Sequence, residues 1–240
     1  MPPKDYQQFL QRVDALKQQC CLKLFDENRH SIQIKKEKTI AKNMERIFAA
    51  ALKISNEKSF HAMSMRDLSR EADMSIGALY NYFAGKEELL RMMQQQRRTI
   101  TREILSTDIA AEKNPREKLR TAIRTHLYLS EVMQPWFYFT YMEAKNLDPE
   151  ERRAAVESEL NSERQFQEIF EEGCTQGQFH TEDCQMTASL TKAMLQDWYL
   201  KRAKYARRGI GVDRYVRYVI GFLEKSLRVG NDASMSGGKR

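Results

Sequence analysis

Little in this chain interrupts a helix. Five prolines and ten glycines are spread over 240 residues, and no stretch keeps the apolar–polar alternation of a half-buried strand. No apolar run approaches the roughly 18 residues of a membrane span, which excludes a spanning helix, and no apolar signal segment opens the chain. Cysteine is scarce. Cys20, Cys21, Cys174 and Cys184 stand neither at metal-ligand spacing nor in the pattern of a disulfide framework. A cytoplasmic location is therefore expected, with no metal and no other cofactor. Also lacking are a glycine-rich phosphate loop, a nucleophile elbow and a paired catalytic motif, so an enzyme is not expected. The carboxylates of residues 150–172 read as a solvated helix surface.

What is present is helical periodicity and positive charge. Ile40, Met44, Ile47, Phe48, Ala51 and Ile54 trace one helical face. The formal net charge is +7, which favours a polyanionic partner. Residues 35–53 carry six basic groups against two acidic ones, whereas residues 143–172 lean acidic. A first helix is predicted within residues 1–30, with Tyr6, Phe9, Leu10, Val13, Leu16 and Cys20 on one stripe. The segment SIQIKKEK at 31–38 reads as a linker or arm, placing Lys36 and Lys38 where they can approach a nucleic acid. Further helices are predicted over 39–55, 64–72, 75–83 and 86–105.

The pair 64–72 and 75–83 is the informative one. Each is about two turns long and too short to be stable alone in water. Leu68 and Ala72 share a face of the first, and Ile76, Leu79 and Phe83 share a face of the second. Only Asp73 and Met74 separate them, the spacing of a helix-turn-helix whose second helix can enter a major groove. Asp73 stands where the turn needs a left-handed residue, which Asp tolerates better than most. Gly77 and Ala78 keep the exposed side of the second helix thin, so its backbone can approach base edges. Tyr80, Asn81, Tyr82 and Lys86 crowd between apolar positions, and the tyrosines and the lysine can reach phosphates. Ser64, Arg66 and Ser75 lie at helix starts, which favour phosphate. The plainer alternative is a small three-helix domain with aromatic packing and a solvated lysine.

These residues carry a resemblance. Residues 39–92 resemble the DNA-binding domain of the TetR family of transcriptional regulators, through the Ile40–Phe48–Ala51 helix, Ser64-Met-Arg-Asp-Leu68, Ala72, Ser75, Gly77, and Leu79-Tyr80-Asn81-Tyr82-Phe83 followed by Lys86-Glu87-Glu88-Leu89. The resemblance implies phosphate contacts from Tyr80, Lys86, Ser64 and Tyr82, with Arg66, Ser75, Ile76 and Gly77 closest to the bases. Two features depart from the family pattern: Asp73 replaces the usual turn glycine, and the first 35 residues exceed the usual short lead-in.

The second half reads as helices over 116–131, 135–145, 149–172, 183–206 and 212–228. The densest segment, VMQPWFYFTYMEAKNL at 132–147, is apolar most of the way round. It suits core packing, or the wall of an apolar ligand cavity oriented by tyrosine hydroxyls and a carboxylate. Candidate ligand contacts are His126, Tyr128, Met133, Trp136, Phe137, Tyr138, Tyr141, Glu143, Phe166, Phe170, Met194 and Trp198. The last two helices have apolar stripes wide enough for a core and an intersubunit face. By resemblance they form a four-helix dimer interface with a second copy. LKRAKYARR at 200–208 is either a solvated basic helix end or a clamp for ligand phosphates. Glu143-Ala144-Lys145-Asn146-Leu147 with Trp198-Tyr-Leu-Lys-Arg is similar to the FadR-like, acyl-CoA-responsive branch.

The expected architecture is all-α: an N-terminal extension over 1–34, a three-helix helix-turn-helix domain over 35–96, a ligand-binding and dimerisation domain over 97–229, and a loose tail over 230–240. The expected function is a homodimeric, ligand-responsive repressor of a palindromic double-stranded DNA operator, released by a small apolar or amphipathic effector, with no membrane partner. The alternative is a helical ligand-binding or adaptor protein without DNA function.

Overall fold

The computed structural model describes residues 6–27 and 37–227. Among these residues every regular element is helical. The helices are α1 (Tyr6–Glu27), α2 (Glu37–Lys58), α3 (Met65–Glu71), α4 (Ile76–Tyr80), α5 (Lys86–Ala110), α6 (Pro115–Val132), α7 (Gln134–Glu143), α8 (Pro149–Thr175), α9 (Cys184–Leu200), α10 (Arg202–Arg207) and α11 (Val212–Ser226), with a short 3-10 turn at Ala144–Asn146. The chain divides into two compact units. One takes Met1–Ser106 and Tyr128–Glu159, the other Thr107–Leu127 and Leu160–Arg240.

Local signals start these helices where the sequence places them. Ser64 caps α3, accepting from the Asp67 amide while the Asp67 carboxylate accepts from the Ser64 amide, a reciprocal capping box. Ser75 caps α4 through the Ala78 amide, and Asp183 caps α9 through the Met186 amide. Pro149 opens α8, preceded by Asp148, which accepts from the amides of Glu150 and Glu151.

In the first unit, α2 supplies the central apolar face. Ile40, Met44, Ile47, Phe48 and Ala51 are buried together with Leu68 of α3, Leu79 of α4, and Leu89 and Met92 of α5. Neither short helix could bury its apolar face alone; both borrow the surface of α2. The predicted N-terminal helix exists and docks on its own chain. Phe9, Val13, Cys20 and Cys21 of α1 are buried, and Tyr6 and Phe9 meet the Tyr128 ring edge-on at 5.3 and 5.7 Å. The buried Gln96 side chain donates to the Lys17 carbonyl at 3.2 Å and to Cys21 Sγ at 3.0 Å. The aromatic helix α7 also packs here. Trp136 stands edge-on to Phe48 at 5.5 Å and Phe139 to Phe60 at 5.6 Å, and the Phe60 amide donates to Glu143 Oε1.

The second unit buries Leu119 and Ile123 of α6, Phe166 and Phe170 of α8, Leu195 and Trp198 of α9, and Val216, Val219 and Leu223 of α11. The helix predicted over 183–206 is two helices. Lys201 leaves helical geometry at φ −116°, ψ 33°, and the break lets Tyr205 of α10 fold against Trp198, with Tyr215 of α11 completing a three-ring cluster. At the head of α2, Glu37 and Lys38 belong to the helix, not to an arm. Lys36 and the tail over 230–240 lie outside the described residues.

Candidate nucleic-acid interface

The short helix pair α3–α4 is held by three devices. Asp73 adopts φ 50° in the turn between α3 and α4, the left-handed conformation the spacing requires. Arg46 of α2 donates to the carbonyls of Ala72 and Asp73 at 2.7 and 3.1 Å and reaches Asp73 Oδ2 at 3.2 Å. Ser69 Oγ donates to the Met74 carbonyl at 2.6 Å. The turn backbone is thereby tied both to the central helix and to its own first helix, and α4 leaves it in one direction.

The residues expected at bases or phosphates fall into two groups. Arg66, Ser64, Ser75, Ile76, Gly77, Tyr80 and Asn81 are exposed. A Cβ placed on Gly77 would meet nothing within 4 Å, so α4 is open to a close backbone approach there. Tyr82 and Lys86 have structural partners. Tyr82 is buried, 3% exposed, and its hydroxyl accepts from Asn43 Nδ2 at 2.7 Å. Lys86 Nζ donates to the carbonyls of His61 and Met63 at 2.8 and 2.9 Å, fixing the start of α5 to the turn that precedes α3. An ammonium has three donors, so one remains for a phosphate. Ser64 is committed more fully, since its hydroxyl also donates to Asp67 Oδ2 at 2.6 Å.

Asp67 is the electrostatic centre of this corner. Hydrogen bonds from Lys58 and from the Ser64 hydroxyl and amide hold its carboxyl well below the usual carboxylate range. Arg70 adds a contact at 3.1 Å. The role of Asp67 in gathering Lys58 and Arg70 depends on where α2 ends, which local pattern does not specify.

The candidate ligand contacts divide between the two units. Tyr128, Met133, Trp136, Phe137, Tyr138, Tyr141 and Glu143 belong to the first; His126, Phe166, Phe170, Met194 and Trp198 belong to the second. In the first unit Phe137 lies under the Arg97 guanidinium, Trp136 and Tyr138 are half-buried, and Tyr141 is exposed. In the second unit, buried His126 Nε2 stands 3.0 Å from Nζ of Lys192, itself only 7% exposed. Nearby in sequence, Thr125 donates to the buried Asp108 carboxylate at 2.8 Å. Lys192 was missed in the sequence because it lies 66 residues from His126. The basic segment 200–208 is partly self-neutralised. Lys201 and Lys204 pair with Asp197 at 2.6 and 2.5 Å, and Arg202 stacks on Trp198, while Arg207 and Arg208 are exposed.

A short helix pair with an exposed, side-chain-poor second member, on a helical chain with a separate second core, defines a helix-turn-helix regulator fold. The chain belongs to the tetR family of bacterial regulatory proteins: that family's model matches residues 47–93, and the Tetracyclin repressor-like C-terminal domain matches residues 112–202. A curated relative, the HTH-type transcriptional regulator HbdR of Aromatoleum sp. (strain CIB), is 22% identical over 142 residues, 59% of this chain and 62% of the relative. The chain thus spans less than two thirds of that relative's length. Among solved structures, AibR in complex with isovaleryl coenzyme A and operator DNA is 20% identical at TM-score 0.66, covering 75% of this chain and 97% of that one. FadR from Bacillus subtilis in complex with stearoyl-CoA is 18% identical at TM-score 0.62, covering 77% and 99%. At these identities the likeness is one of fold.

Proposed function

We propose that this protein is a homodimeric transcriptional repressor of a near-palindromic duplex operator, working in the cytoplasm and released from DNA by an amphipathic effector of the acyl-CoA class. The observation that carries the DNA half is α4, whose outer face consists of exposed Ile76, Gly77, Tyr80 and Asn81 on a turn immobilised by Arg46. A rigid, thin helix is what base-edge reading needs, and the flanking Arg66 and Lys86 give positive charge for the phosphates that set register. In this reading residues 35–96 bind DNA, and residues 97–229 bind effector and pair the subunits.

Dimerisation is favoured by the outer faces of α9 and α11. Met186 and Leu190 are 56% and 60% exposed, and Tyr218 and Phe222 are 75% and 53% exposed. Each pair is spaced one helical turn apart, so each helix offers an apolar stripe that water solvates poorly. A twofold axis through such stripes sets two reading helices against half-sites about one helical turn apart, or a multiple of it. Among the described residues no helix is long and apolar enough to cross a membrane.

The effector class rests on two features and on the relatives crystallised with isovaleryl and stearoyl coenzyme A. The first unit offers the aromatic residues of 132–147, and the second offers the rings of Phe166, Phe170 and Trp198 with the side chain of Met194. Exposed Arg207 and Arg208 offer charge for an anionic head. To act, the ligand must favour one spacing of the reading helices over another. Helix α5 follows directly on the reading pair and is the lever. Trp136 on Phe48 gives α7 a second hold on the same bundle.

The test is titration of the operator complex, its sequence first obtained by selection from random duplexes, with acyl-CoAs of several chain lengths, free acids and CoA alone. Release by acyl-CoA but not by acid or CoA supports the effector class. Release by none removes acyl-CoA from the reading, and a selection that enriches no palindrome removes operator binding itself.

A further inference from the structure

Two of the four cysteines that show no pattern in the sequence meet in space. Cys174 in the last turn of α8 and Cys184 at the first position of α9 have their sulfurs 4.0 Å apart, ten residues apart in the chain. Both are free thiols and both are half-exposed. The other two, Cys20 and Cys21, are buried in α1.

The connector between the thiols is fixed at several points. The Gly173 carbonyl accepts from the amides of Gln178 and Phe179, and the Phe179 ring packs so closely on Gly173 that a Cβ there would lie 2.0 Å from it. The His180 amide donates to the Leu227 carbonyl at 2.9 Å. Thr181 and Thr187 share a hydroxyl–hydroxyl bond at 2.7 Å, and Asp183 caps α9. Both ends of the loop are therefore held before any bond joins them, and the sulfurs have to close from 4.0 Å to the roughly 2.05 Å of a disulfide. Among the described residues no set of three His, Cys, Asp or Glu side chains could hold a metal ion, so these thiols lack the ligands of a structural metal site.

We infer that Cys174 and Cys184 are a dithiol pair that peroxide converts to an intramolecular disulfide, joining the end of α8 to the start of α9. The Cys174 thiolate attacks one peroxide oxygen, the O–O bond breaks, and hydroxide leaves and takes a proton to become water. The Cys174 sulfenic acid is then attacked by the Cys184 sulfur, which gives up its proton as hydroxide leaves, forming a second water. Two thiols lose two electrons and two protons, and one peroxide is reduced to two waters. Burial, and then the neighbouring Cys174, push the Cys184 thiol up to about 11. Cys184 thus waits as a thiol.

Both cysteines fall in one tryptic peptide, residues 165–192, and Glu182 lies between them. The full-length protein is treated with hydrogen peroxide, then with iodoacetamide, and digested. The expected peptide is two hydrogens lighter and unalkylated, its halves stay joined after cleavage at Glu182, and dithiothreitol reverses both changes. The thermal midpoint of the oxidised protein rises by roughly 5 °C, from closure of a short loop. In Cys184→Ser, Cys174 stops at the sulfenic acid and takes up dimedone. Peroxide-treated protein in which both cysteines still accept iodoacetamide, carry oxygen without a link, or are joined to a second copy overturns the inference.

Discussion

Lys86 shows how one side chain serves two ends. Its ammonium ties the carbonyls of His61 and Met63, and in the proposed function its third donor serves a phosphate. Lys86→Ala is expected to lower the thermal midpoint and to weaken binding to all duplexes alike. The slope of log affinity against log salt falls by about one, as for a single lost phosphate contact; a slope equal to that of the wild type leaves Lys86 as a structural residue only. Asp197 carries a pH prediction. Burial pushes its carboxyl up, but hydrogen bonds from Lys201, Lys204 and Tyr205 outweigh burial and hold it at about 2, below the ordinary 3.8. A carboxyl lower in the folded than in the unfolded chain binds fewer protons when folded, so its contribution is complete above about pH 4. That contribution is lost as pH falls through 2. Melting curves between pH 5 and 2 should fall more steeply for the wild type than for Asp197→Asn.

At the scale of elements, much was legible because the signals are local. Ser64 and Ser75 announce helix starts and Asp73 a left-handed turn within a dozen residues, and each is found in that role, the two serines as N-caps. The aromatic run of α7 was legible as apolar but not as to its partners, because Trp136 and Phe139 meet Phe48 and Phe60 across long sequence separation. The break at Lys201 had no Pro or Gly to mark it; it follows from Tyr205 stacking on Trp198, a tertiary gain that overrides helix propensity. For α1 the stripe calls for a dock on the protein itself, because an amphipathic helix is marginal alone; which surface receives it is not legible. Removing residues 1–27 uncovers the surfaces that receive Phe9, Val13 and Cys21 and strands Gln96. The thermal midpoint of the truncated protein should fall by several degrees, the loss of three buried side chains being worth a few kcal/mol. An unchanged midpoint by calorimetry removes the brace.

For the whole molecule, the stripes on α9 and α11 make oligomeric state the deciding measurement. Leu190→Glu with Phe222→Glu places charge on both stripes without touching buried positions. Sedimentation of this variant should give a monomer of about half the wild-type mass, and operator binding should fall with it, since half-site affinity alone remains. A variant that stays dimeric assigns the interface elsewhere. The sequence could reach the stripes because amphipathicity is written at helical period. It could not reach the His126–Lys192 pair or the two sulfurs, because nothing local joins those positions until the helices pack.

The unit that contains the reading pair is not continuous along the chain. The Gln96 contact to Cys21 spans 75 residues, and the Glu143 contact to Phe60 spans 83. During translation α1 is made before Gln96 and Tyr128, so the contacts of Tyr6 and Phe9 with the Tyr128 ring wait until α6 has been made. The bundle that carries α4 has its full set of neighbours only after Glu143 emerges. Folding of the N-terminal half is thus tied to synthesis of the C-terminal half, the regime in which long-range contacts slow folding and exposed apolar surface calls on chaperones. A nascent chain halted before Glu143 carries the whole α3–α4 pair and still lacks the finished surface on which it is set.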